Sequence, residues 1–425
     1  MGKLKFIHAA DLHIESPYRG VSNMNSVLGE RLIKLGFKAF DNLVETAIKN
    51  KIDFLLIAGD SFDSSNVSLS AQYRFMRGLG RLNEKNIPVY IVCGNHDPLT
   101  SWIKAINLPE NVHVFPANEV SKVEFKKEEQ VLAHIFGVSF EEKEENRPLA
   151  NQFMVEDYTV FSIGLLHGTF AGMEHKNPYC PISMEQLQRS RMHYWGLGHI
   201  HKRTIVNEQK PTVIYPGNLQ GRHFNETGEK GAYLIEVDQE NRVDPTFVPL
   251  SEVVFLRKEI ILEEHDSIAS VTNKIEELKA QLSDEYGVVK LRLMLKGDTA
   301  AISDLSDVHE LQGLIETLNE SVNYNSDFVY LSKIENETRP VINWEERMQG
   351  DDFVADLMRR YEKIQGDTAS RSNIIAKIVE EINSSSAYRK LRKYDLEDSV
   401  DVEQIFEQAK IKSISELIAT KSDHQ

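Results

Sequence analysis

The stretch IPVYIVCGNHD, residues 87–97, joins an apolar run to three adjacent polar side chains. The run is typical of a buried strand, and Asn95, His96 and Asp97 would lie on the loop that follows it. In open α/β sheets, ligands bind at the carboxyl ends of the strands. The stretch therefore predicts an α/β fold with a polar site at one edge of a sheet.

Other short apolar runs end in the same way, with Asp or His directly after the predicted strand. These ends are Asp11-Leu12-His13, Gly59-Asp60, His167 and Gly198-His199-Ile200-His201. Because parallel strands present their carboxyl ends at the same edge, we expect all of these side chains to meet.

The order of predicted elements indicates two sheets flanked by helices. Strands at 5–9, 53–58 and 87–93 alternate with helices from Gly29 and over 68–86, which implies parallel pairing. A run of strands without long helices follows and predicts a second sheet packed on the first, as an α/β sandwich. The strands expected in this second sheet are 112–115, 120–125, 131–138, 159–166, 194–197, 213–215 and 232–237.

The chain of 425 residues is too long for one compact core and suits two or three domains. We predict a first domain over 1–250 that carries the site. A small α/β cap domain over 251–336 is indicated by alternating strand and helix patterns. A helical region over 337–425 has apolar stripes suited to partner docking, with Trp344 and Phe353 as the residues to test, although the stripes also suit the protein's own core.

Composition excludes several classes of protein. Two cysteines, Cys93 and Cys180, make a disulfide framework improbable. Without a secretory segment or an apolar run of membrane-spanning length, the expectation is a soluble cytoplasmic protein that needs no membrane. The formal net charge of −16 argues against unspecific binding to polyanions, but not against a nucleic-acid enzyme, because bound cations can reverse the field at a cleft.

The residue types at the strand ends suit two divalent cations. Two cations about 3.5 to 4 Å apart can clamp the oxygens of a phosphoryl displacement, and one carboxylate must bridge them. Imidazole ligands suit Mn, Fe or Zn better than Mg or Ca. We predict Asp60 as the bridge, with one metal held by Asp11, His13 and His201 and the other by Asn95, His167 and His199.

Four further residues have predicted roles near the metals. His96 is placed to protonate a leaving oxygen, and Asp97 would hold the His96 ring in a useful tautomer. Arg222 and His223 follow the last metal motif and would touch a substrate phosphate, although a structural salt bridge explains them equally well.

These motifs, in this order over about the first 250 residues, resemble the calcineurin-like metallophosphoesterase superfamily. Within it the chain is similar to SbcD-type DNA-repair nucleases of the YhaO-like branch. The resemblance implies a manganese-dependent phosphodiesterase acting on DNA, with the metal ligands at the positions just named. It also implies a coiled-coil ATPase partner of the SbcC or YhaN type and, by analogy, a homodimer formed through the first domain.

One position departs from the pattern of some family nucleases, which have a histidine three residues after the bridging aspartate. This chain has Asp63 there, which bacterial relatives share, so the choice between exonuclease and endonuclease activity stays open. Farther along, the basic run Arg389, Lys390, Arg392 and Lys393 suits either DNA backbone contact or a solvated helix end.

Two other functions compete with a DNA phosphodiesterase. A phosphoesterase for a small phosphate ester or a phosphoprotein would use the same metals. A non-catalytic adaptor would keep the metals for stability only, but the complete ligand set together with His96 argues against it.

Overall fold

The computed structural model describes most of the chain between residues 3 and 367. The described ranges are 3–14, 26–63, 67–101, 107–173, 178–320, 322–341 and 344–367, with single positions and pairs between 373 and 417. The basic run at 389–393 lies outside the described residues. Positions 378, 382, 405 and 418, which belong to the apolar stripes predicted over 337–425, lie outside them as well.

The strands of the described part form three sheets. They are β1 (Leu4–Ala9), β2 (Phe54–Ala58), β3 (Val89–Val92), β4 (Val112–Val114), β5 (Ser121–Lys127), β6 (Gln130–Gly137), β7 (Phe161–His167), β8 (Tyr194–Gly198), β9 (Thr204–Asn207), β10 (Thr212–Tyr215), β11 (Gly231–Val237), β12 (Val243–Pro249), β13 (Val253–Ile261), β14 (Val288–Asp298) and β15 (Val329–Arg339).

The helices of the same part flank or follow these sheets. They are α1 (Ser26–Asn50), α2 (Leu69–Asn83), α3 (Met184–Ser190), α4 (Ile268–Tyr286), α5 (Ile302–Ser306), α6 (Val308–Glu320), α7 (Trp344–Met348) and α8 (Phe353–Gly366), with a short 3₁₀ helix at Leu149–Gln152. None of these helices is long and apolar enough to cross a membrane.

The first sheet has the strand order β12-β11-β1-β2-β3-β4. Its strands β1, β2, β3 and β4 pair in parallel, which confirms the parallel β-α-β-α-β start of the chain. Helices α1 and α2 connect β1 to β2 and β2 to β3, and their buried side chains, such as Phe40 and Phe75, pack in the core beside Ile57 of β2. The carboxyl ends of β1, β2 and β3 therefore lie at one edge.

The second sheet has the order β5-β6-β7-β8-β10-β9, and β6, β7 and β8 are parallel. The prediction that strands 112–115 and 232–237 belong to this sheet is wrong. Strand β4 pairs with β3 and strand β11 pairs with β1, so both lie in the first sheet. Both sheets bury apolar faces, so an apolar strand pattern alone does not indicate which sheet a strand joins.

A shared core lies between the two sheets. Phe6 and Phe54 of the first sheet stack with ring centroids 4.9 Å apart, and Tyr194 of the second sheet meets Phe6 edge to face at 5.4 Å. Ile163 of β7 belongs to the same buried cluster. Burial of this cluster fixes β1 and β2 against β7 and β8, so the two-sheet α/β fold with flanking helices is confirmed.

The third sheet has the order β13-β14-β15, and the chain divides into two compact units. The first comprises Met1–Arg257, Lys279–Leu291 and Val322–Tyr330; the second comprises Lys258–Leu278, Arg292–Ser321 and Leu331–Gln425. The predicted alternation of strands and helices after residue 253 is present. The division into domains at 250 and 336 stays a prediction.

Helix α8 carries one of the predicted apolar stripes. Asp352 caps its first turn, since its side chain accepts a hydrogen bond from the Ala355 main-chain N. The predicted stripe consists of Phe353, Leu357, Tyr361 and Ile364. Leu357 and Tyr361 pack against a small buried cluster of Val354, Met358 and Ile414, whereas the Phe353 side chain is 67% exposed. The stripe thus serves the protein's own core in part, and Phe353 lies outside that core.

Candidate metal centre

The predicted site residues lie where five strands of two sheets end. Asp11 follows β1, Asp60 follows β2 and Asn95 follows β3, while His167 is the last residue of β7 and His199 follows β8. The packing of the two sheets brings these ends together, and the side chains of all five are buried. The structure therefore brings together the side chains that the strand ends predicted to meet.

Four of the predicted ligands have positive φ angles, which residues other than glycine rarely adopt. The φ angles are 49° at Asp11, 43° at His13, 51° at Asp60 and 100° at His199. Such conformations cost energy and concentrate at functional sites. Main-chain hydrogen bonds between the loops after β1 and β2 maintain these conformations. The main-chain N of Asp11 donates to the Gly59 carbonyl (3.0 Å), and that of His13 donates to the Asp60 carbonyl (3.0 Å).

Two glycines let the strand ends approach closely. A Cβ atom at Gly94 would overlap the Asp60 carboxylate and would lie 2.8 Å from the Nε2 atom of His167. A Cβ atom at Gly198 would overlap the Ala58 carbonyl oxygen. Both positions need glycine because another chain segment fills the space that a side chain would take.

On one side of the site, two imidazoles face each other through nitrogens that carry lone pairs. The Nε2 atoms of His13 and His201 are 3.0 Å apart. Nδ1 of His13 lies 3.1 Å from Asp63 Oδ1, and Nδ1 of His201 lies 2.7 Å from Glu226 Oε1. Because a carboxylate favours a hydrogen on the nitrogen it contacts, the lone pairs are left on the two Nε2 atoms. Two facing lone pairs repel unless a cation lies between them.

The other side of the site has the same character. The His167 Nδ1 atom lies 2.9 Å from the Ala58 carbonyl oxygen and donates to it, so the lone pair is on Nε2. That Nε2 lies 3.0 Å from Asn95 Oδ1, which is also 3.1 Å from Nδ1 of His199. Acceptor thus faces acceptor here as well, an arrangement that a bound cation would relieve.

Asp60 lies between the two sides. Its Oδ2 atom is 3.5 Å from His167 Nε2 and 3.9 Å from His13 Nε2, and its Oδ1 atom accepts a hydrogen bond from the His96 main-chain N (2.9 Å). This position suits a carboxylate shared by two cations. Among the residues that the structure describes, three sets offer ligand atoms that lie within 4.8 Å of one another: Asp11, His13 and His201; Asp11, Asp60 and His167; and His13, Asp63 and His96.

The protonation of the two buried aspartates fits a cation site. Burial, followed by the charge of Asp60, raises the pKa of Asp11 well above its usual value. Burial also favours a raised pKa at Asp60, but His167, His13 and His96 outweigh it and lower the pKa to about 2. Two like charges this close are not both stable without a compensating cation, so the donor set and its charge fit a divalent metal.

Asp97 does not contact the His96 ring as expected. Its Oδ1 atom accepts from the main-chain N of Asp60 (3.1 Å) and Gly94 (2.8 Å), and its Oδ2 atom accepts from that of Ser61 (2.7 Å). The predicted tautomer role of Asp97 is therefore corrected: its carboxylate joins the loops after β2 and β3. The His96 Nδ1 atom lies instead 2.9 Å from the Asp63 carbonyl oxygen.

Arg222 and His223 contact carboxylates within the protein. Arg222 Nη1 donates to Asp63 Oδ1 (2.9 Å) and Nη2 to Glu226 Oε1 (3.4 Å), while His223 Nε2 lies 3.5 Å from Glu226 Oε1. The salt-bridge alternative raised from the sequence is thus present in the structure. The pKa of Glu226 is held well below its usual value: burial raises it, but the hydrogen bond from His201 and the charge of Arg222 outweigh burial.

Sequence reasoning missed the roles of Asp63 and Glu226. The sequence marks Asp63 only as a departure from the histidine of some family nucleases. Glu226 lies in the loop before β11, where no strand end or repeated spacing marks it.

The chain is similar to proteins of one known family. The sequence model of the calcineurin-like phosphoesterase family matches residues 4–203. The chain is 34% identical over 340 residues to the uncharacterized metallophosphoesterase YhaO of Bacillus subtilis strain 168, a match that covers 80% of this chain and 83% of that protein.

Two solved structures also match at low identity. The protein TT1561 of Thermus thermophilus has a TM-score of 0.34 at 12% identity, covering 57% of this chain and 98% of that one. A dimetal phosphatase from Danio rerio has a TM-score of 0.35 at 11% identity, covering 58% and 100%. The family match and the relative at 34% identity lead to one conclusion: the chain belongs to the calcineurin-like phosphoesterase family of metal-dependent hydrolases.

Proposed function

We propose that this protein is a two-metal phosphodiesterase that hydrolyses DNA, as an exonuclease or an endonuclease in DNA repair. The observation that carries the proposal is the pair of acceptor groups facing each other on each side of Asp60: His13 with His201, and His167 with Asn95. Two cations sharing one carboxylate would satisfy both pairs. Such a pair of cations is the arrangement used for in-line phosphoryl displacement.

The proposed ligand set is the one expected from the sequence. Asp11, His13, Asp60 and His201 would hold one cation, and Asp60, Asn95, His167 and His199 the other. Mixed imidazole and carboxylate donors suit manganese, which we propose as the native metal. When bound, the two cations would supply charge stabilisation to the phosphoryl oxygens and a nucleophilic hydroxide near neutral pH.

His96 is the proposed proton donor. Its Nδ1 atom faces the Asp63 carbonyl oxygen, so Nε2 is the nitrogen that would exchange a proton with the leaving oxygen. The side chain is 37% exposed, in contrast to the buried ligands around it. The His96 main-chain N, bonded to Asp60 Oδ1, fixes the ring beside the site.

The choice of DNA as substrate rests on the resemblance of the motifs to SbcD-type nucleases. With it we propose an SbcC- or YhaN-type ATPase as partner, a homodimer through the first predicted domain, and a cytoplasmic location. Phe353, with its exposed ring next to the α8 core, is the residue we would change first to test partner docking. Loss of the complex without loss of cleavage would support docking.

A metal-dependent cleavage assay tests the proposal. Purified wild type and His96→Ala would be incubated with Mn²⁺ or Mg²⁺ on single- and double-stranded oligonucleotides and on bis-p-nitrophenyl phosphate. We expect wild type to cut DNA and His96→Ala not to cut it, while both proteins bind about two metal ions per chain. Hydrolysis of the small diester without DNA cleavage, even with the ATPase added, would favour a small phosphate ester as substrate. An unimpaired His96→Ala protein would contradict the proton-donor role.

A further inference from the structure

We infer that Asp63, Arg222 and Glu226 form a bridge that positions the rings of three site histidines, and that Arg222 serves this bridge rather than a substrate phosphate. The three histidines are His13, His96 and His201. The inference rests on the proposed metal centre and adds to it a set of positioning residues that no metal motif contains.

The bridge consists of two carboxylates joined by one guanidinium group. Arg222 Nη1 donates to Asp63 Oδ1 (2.9 Å), and Arg222 Nη2 donates to Glu226 Oε1 (3.4 Å). The main-chain N of Arg222 also donates to Glu226 Oε2 (2.8 Å). The side chains of Arg222 and Glu226 are only 15% and 6% exposed, so the contact between them is largely shielded from water, whereas the Asp63 side chain is 37% exposed. A planar guanidinium can hold two carboxylates at fixed angles, which a lysine cannot.

Each end of the bridge contacts the site through atoms other than the metal-facing ones. Asp63 Oδ1 lies 3.1 Å from Nδ1 of His13, and the Asp63 carbonyl oxygen lies 2.9 Å from Nδ1 of His96. Glu226 Oε1 lies 2.7 Å from Nδ1 of His201. A partner on the outer nitrogen of a metal-binding histidine sets its tautomer and its orientation. The bridge therefore fixes both Nε2 atoms that face each other at 3.0 Å.

The charge of the bridge argues against binding of a phosphate by Arg222. One guanidinium stands against two carboxylates, so the group as a whole is negative and would repel a phosphodiester. Both terminal nitrogens of Arg222 are also engaged by carboxylate oxygens. Without Arg222, the two carboxylates would repel each other and lose their fixed orientation toward His13 and His201.

Calorimetric titration with Mn²⁺ separates positioning from substrate binding. For Arg222→Ala we expect the Mn²⁺ dissociation constant to rise about 10- to 100-fold. At saturating Mn²⁺, the KM for bis-p-nitrophenyl phosphate should stay within about twofold of wild type. Arg222→Lys should recover only part of the Mn²⁺ affinity, because lysine retains the positive charge but lacks the planar guanidinium that binds two carboxylates at once.

The matched control is Arg242→Ala. Arg242 also joins two carboxylates, those of Asp238 (2.5 Å) and Glu240 (3.2 Å), but on an exposed turn between β11 and β12. We expect its Mn²⁺ affinity and KM to equal those of wild type. Should Arg222→Ala not fold, Glu226→Gln, which keeps the side-chain volume, must show the same fall in Mn²⁺ affinity.

Three results would overturn the inference. The first is a raised KM with unchanged Mn²⁺ affinity, which would assign Arg222 to the substrate. The second is unchanged Mn²⁺ affinity in both Arg222→Ala and Glu226→Gln. The third is a wild type that binds no Mn²⁺, which would remove the metal centre as well. A wild type that binds Mn²⁺ but cuts no DNA contradicts the proposed substrate alone, and the titration still decides the bridge.

Discussion

At the scale of single residues, Gly94 shows how closely the strand ends must approach. A Cβ atom there would overlap the Asp60 carboxylate and press on the His167 ring. We expect Gly94→Ala to weaken Mn²⁺ binding and to lower the free energy of unfolding by about 1 to 3 kcal/mol, the usual cost of overpacking. Titration calorimetry and denaturant unfolding measure the two effects.

Gly80→Ala is the control for that substitution. Gly80 lies in α2, and a Cβ atom there meets nothing within 4 Å. Alanine favours a helix interior over glycine by about 0.5 to 1 kcal/mol, so this variant should be slightly more stable than wild type and bind Mn²⁺ normally. A Gly94→Ala protein with wild-type Mn²⁺ affinity would show that the loop moves without disturbing Asp60.

His193 predicts how stability depends on pH away from the metal centre. The side chain is buried, and its Nδ1 accepts a hydrogen bond from the Ser162 main-chain N (3.1 Å), so the neutral ring is favoured. Burial, followed by the charges of Lys210 and Lys3, lowers the pKa to about 4. Because the folded pKa lies below the unfolded value of 6.5, the stabilisation is complete above about pH 6.5 and is lost as the pH falls toward 4.

The size of that effect is at most about 3 kcal/mol, since each pKa unit corresponds to about 1.4 kcal/mol. His193→Asn keeps an acceptor near Ser162 and does not titrate in this range. Urea unfolding of both proteins between pH 7 and pH 4 should therefore show a smaller loss for the variant. If the free energy of unfolding fell equally with pH in the two proteins, protonation of His193 would not destabilise the fold.

At the scale of elements, the Asp97 carboxylate holds the loops after β2 and β3 together through three main-chain N–H groups. Asp97→Asn would place an NH₂ group against a donor, and we expect it to lower the free energy of unfolding by about 1.5 to 3 kcal/mol. Asp238→Asn is the comparison, because Asp238 also accepts main-chain N–H groups, from Glu240 and Arg242, but its side chain is 35% exposed. Asp238→Asn should lower the free energy of unfolding less than Asp97→Asn does, because water screens the Asp238 bonds. Equal losses in thermal or urea unfolding would contradict the joining role.

The elements also show what a sequence can and cannot predict. Strand ends such as those at Asp11 and Asp60 were predictable, because in each a short apolar run is followed by a charged residue, a type that is rare within buried strands. The sheet membership of β4 and β11 was not, since it depends on pairing with β3 and β1, and a buried strand looks the same in either sheet. Glu226 lies in a loop without periodicity, so only its contact with His201 reveals it.

At the scale of the whole molecule, the formal net charge of −16 opposes DNA binding, whereas the proposed substrate is a polyanion. The proposed cations resolve this conflict locally, because they place positive charge at the point where the scissile phosphate would lie. The buried aspartates would hold the cations, and the cations would in turn neutralise the charge of the aspartates. Binding of metal and stability of the fold should consequently be coupled.

That coupling gives the last prediction. A ligand that binds only the folded state stabilises it by about 2.7 kcal/mol at a concentration 100 times its dissociation constant. We expect Mn²⁺ to raise the melting temperature of wild type and a chelator to reverse the rise. Asp60→Asn, which removes the shared carboxylate, should abolish most of the increase, because neither side of the site then has its bridge. Arg242→Ala should respond to Mn²⁺ as wild type does. A melting temperature that does not depend on Mn²⁺ in wild type, measured by scanning calorimetry, would contradict the metal centre.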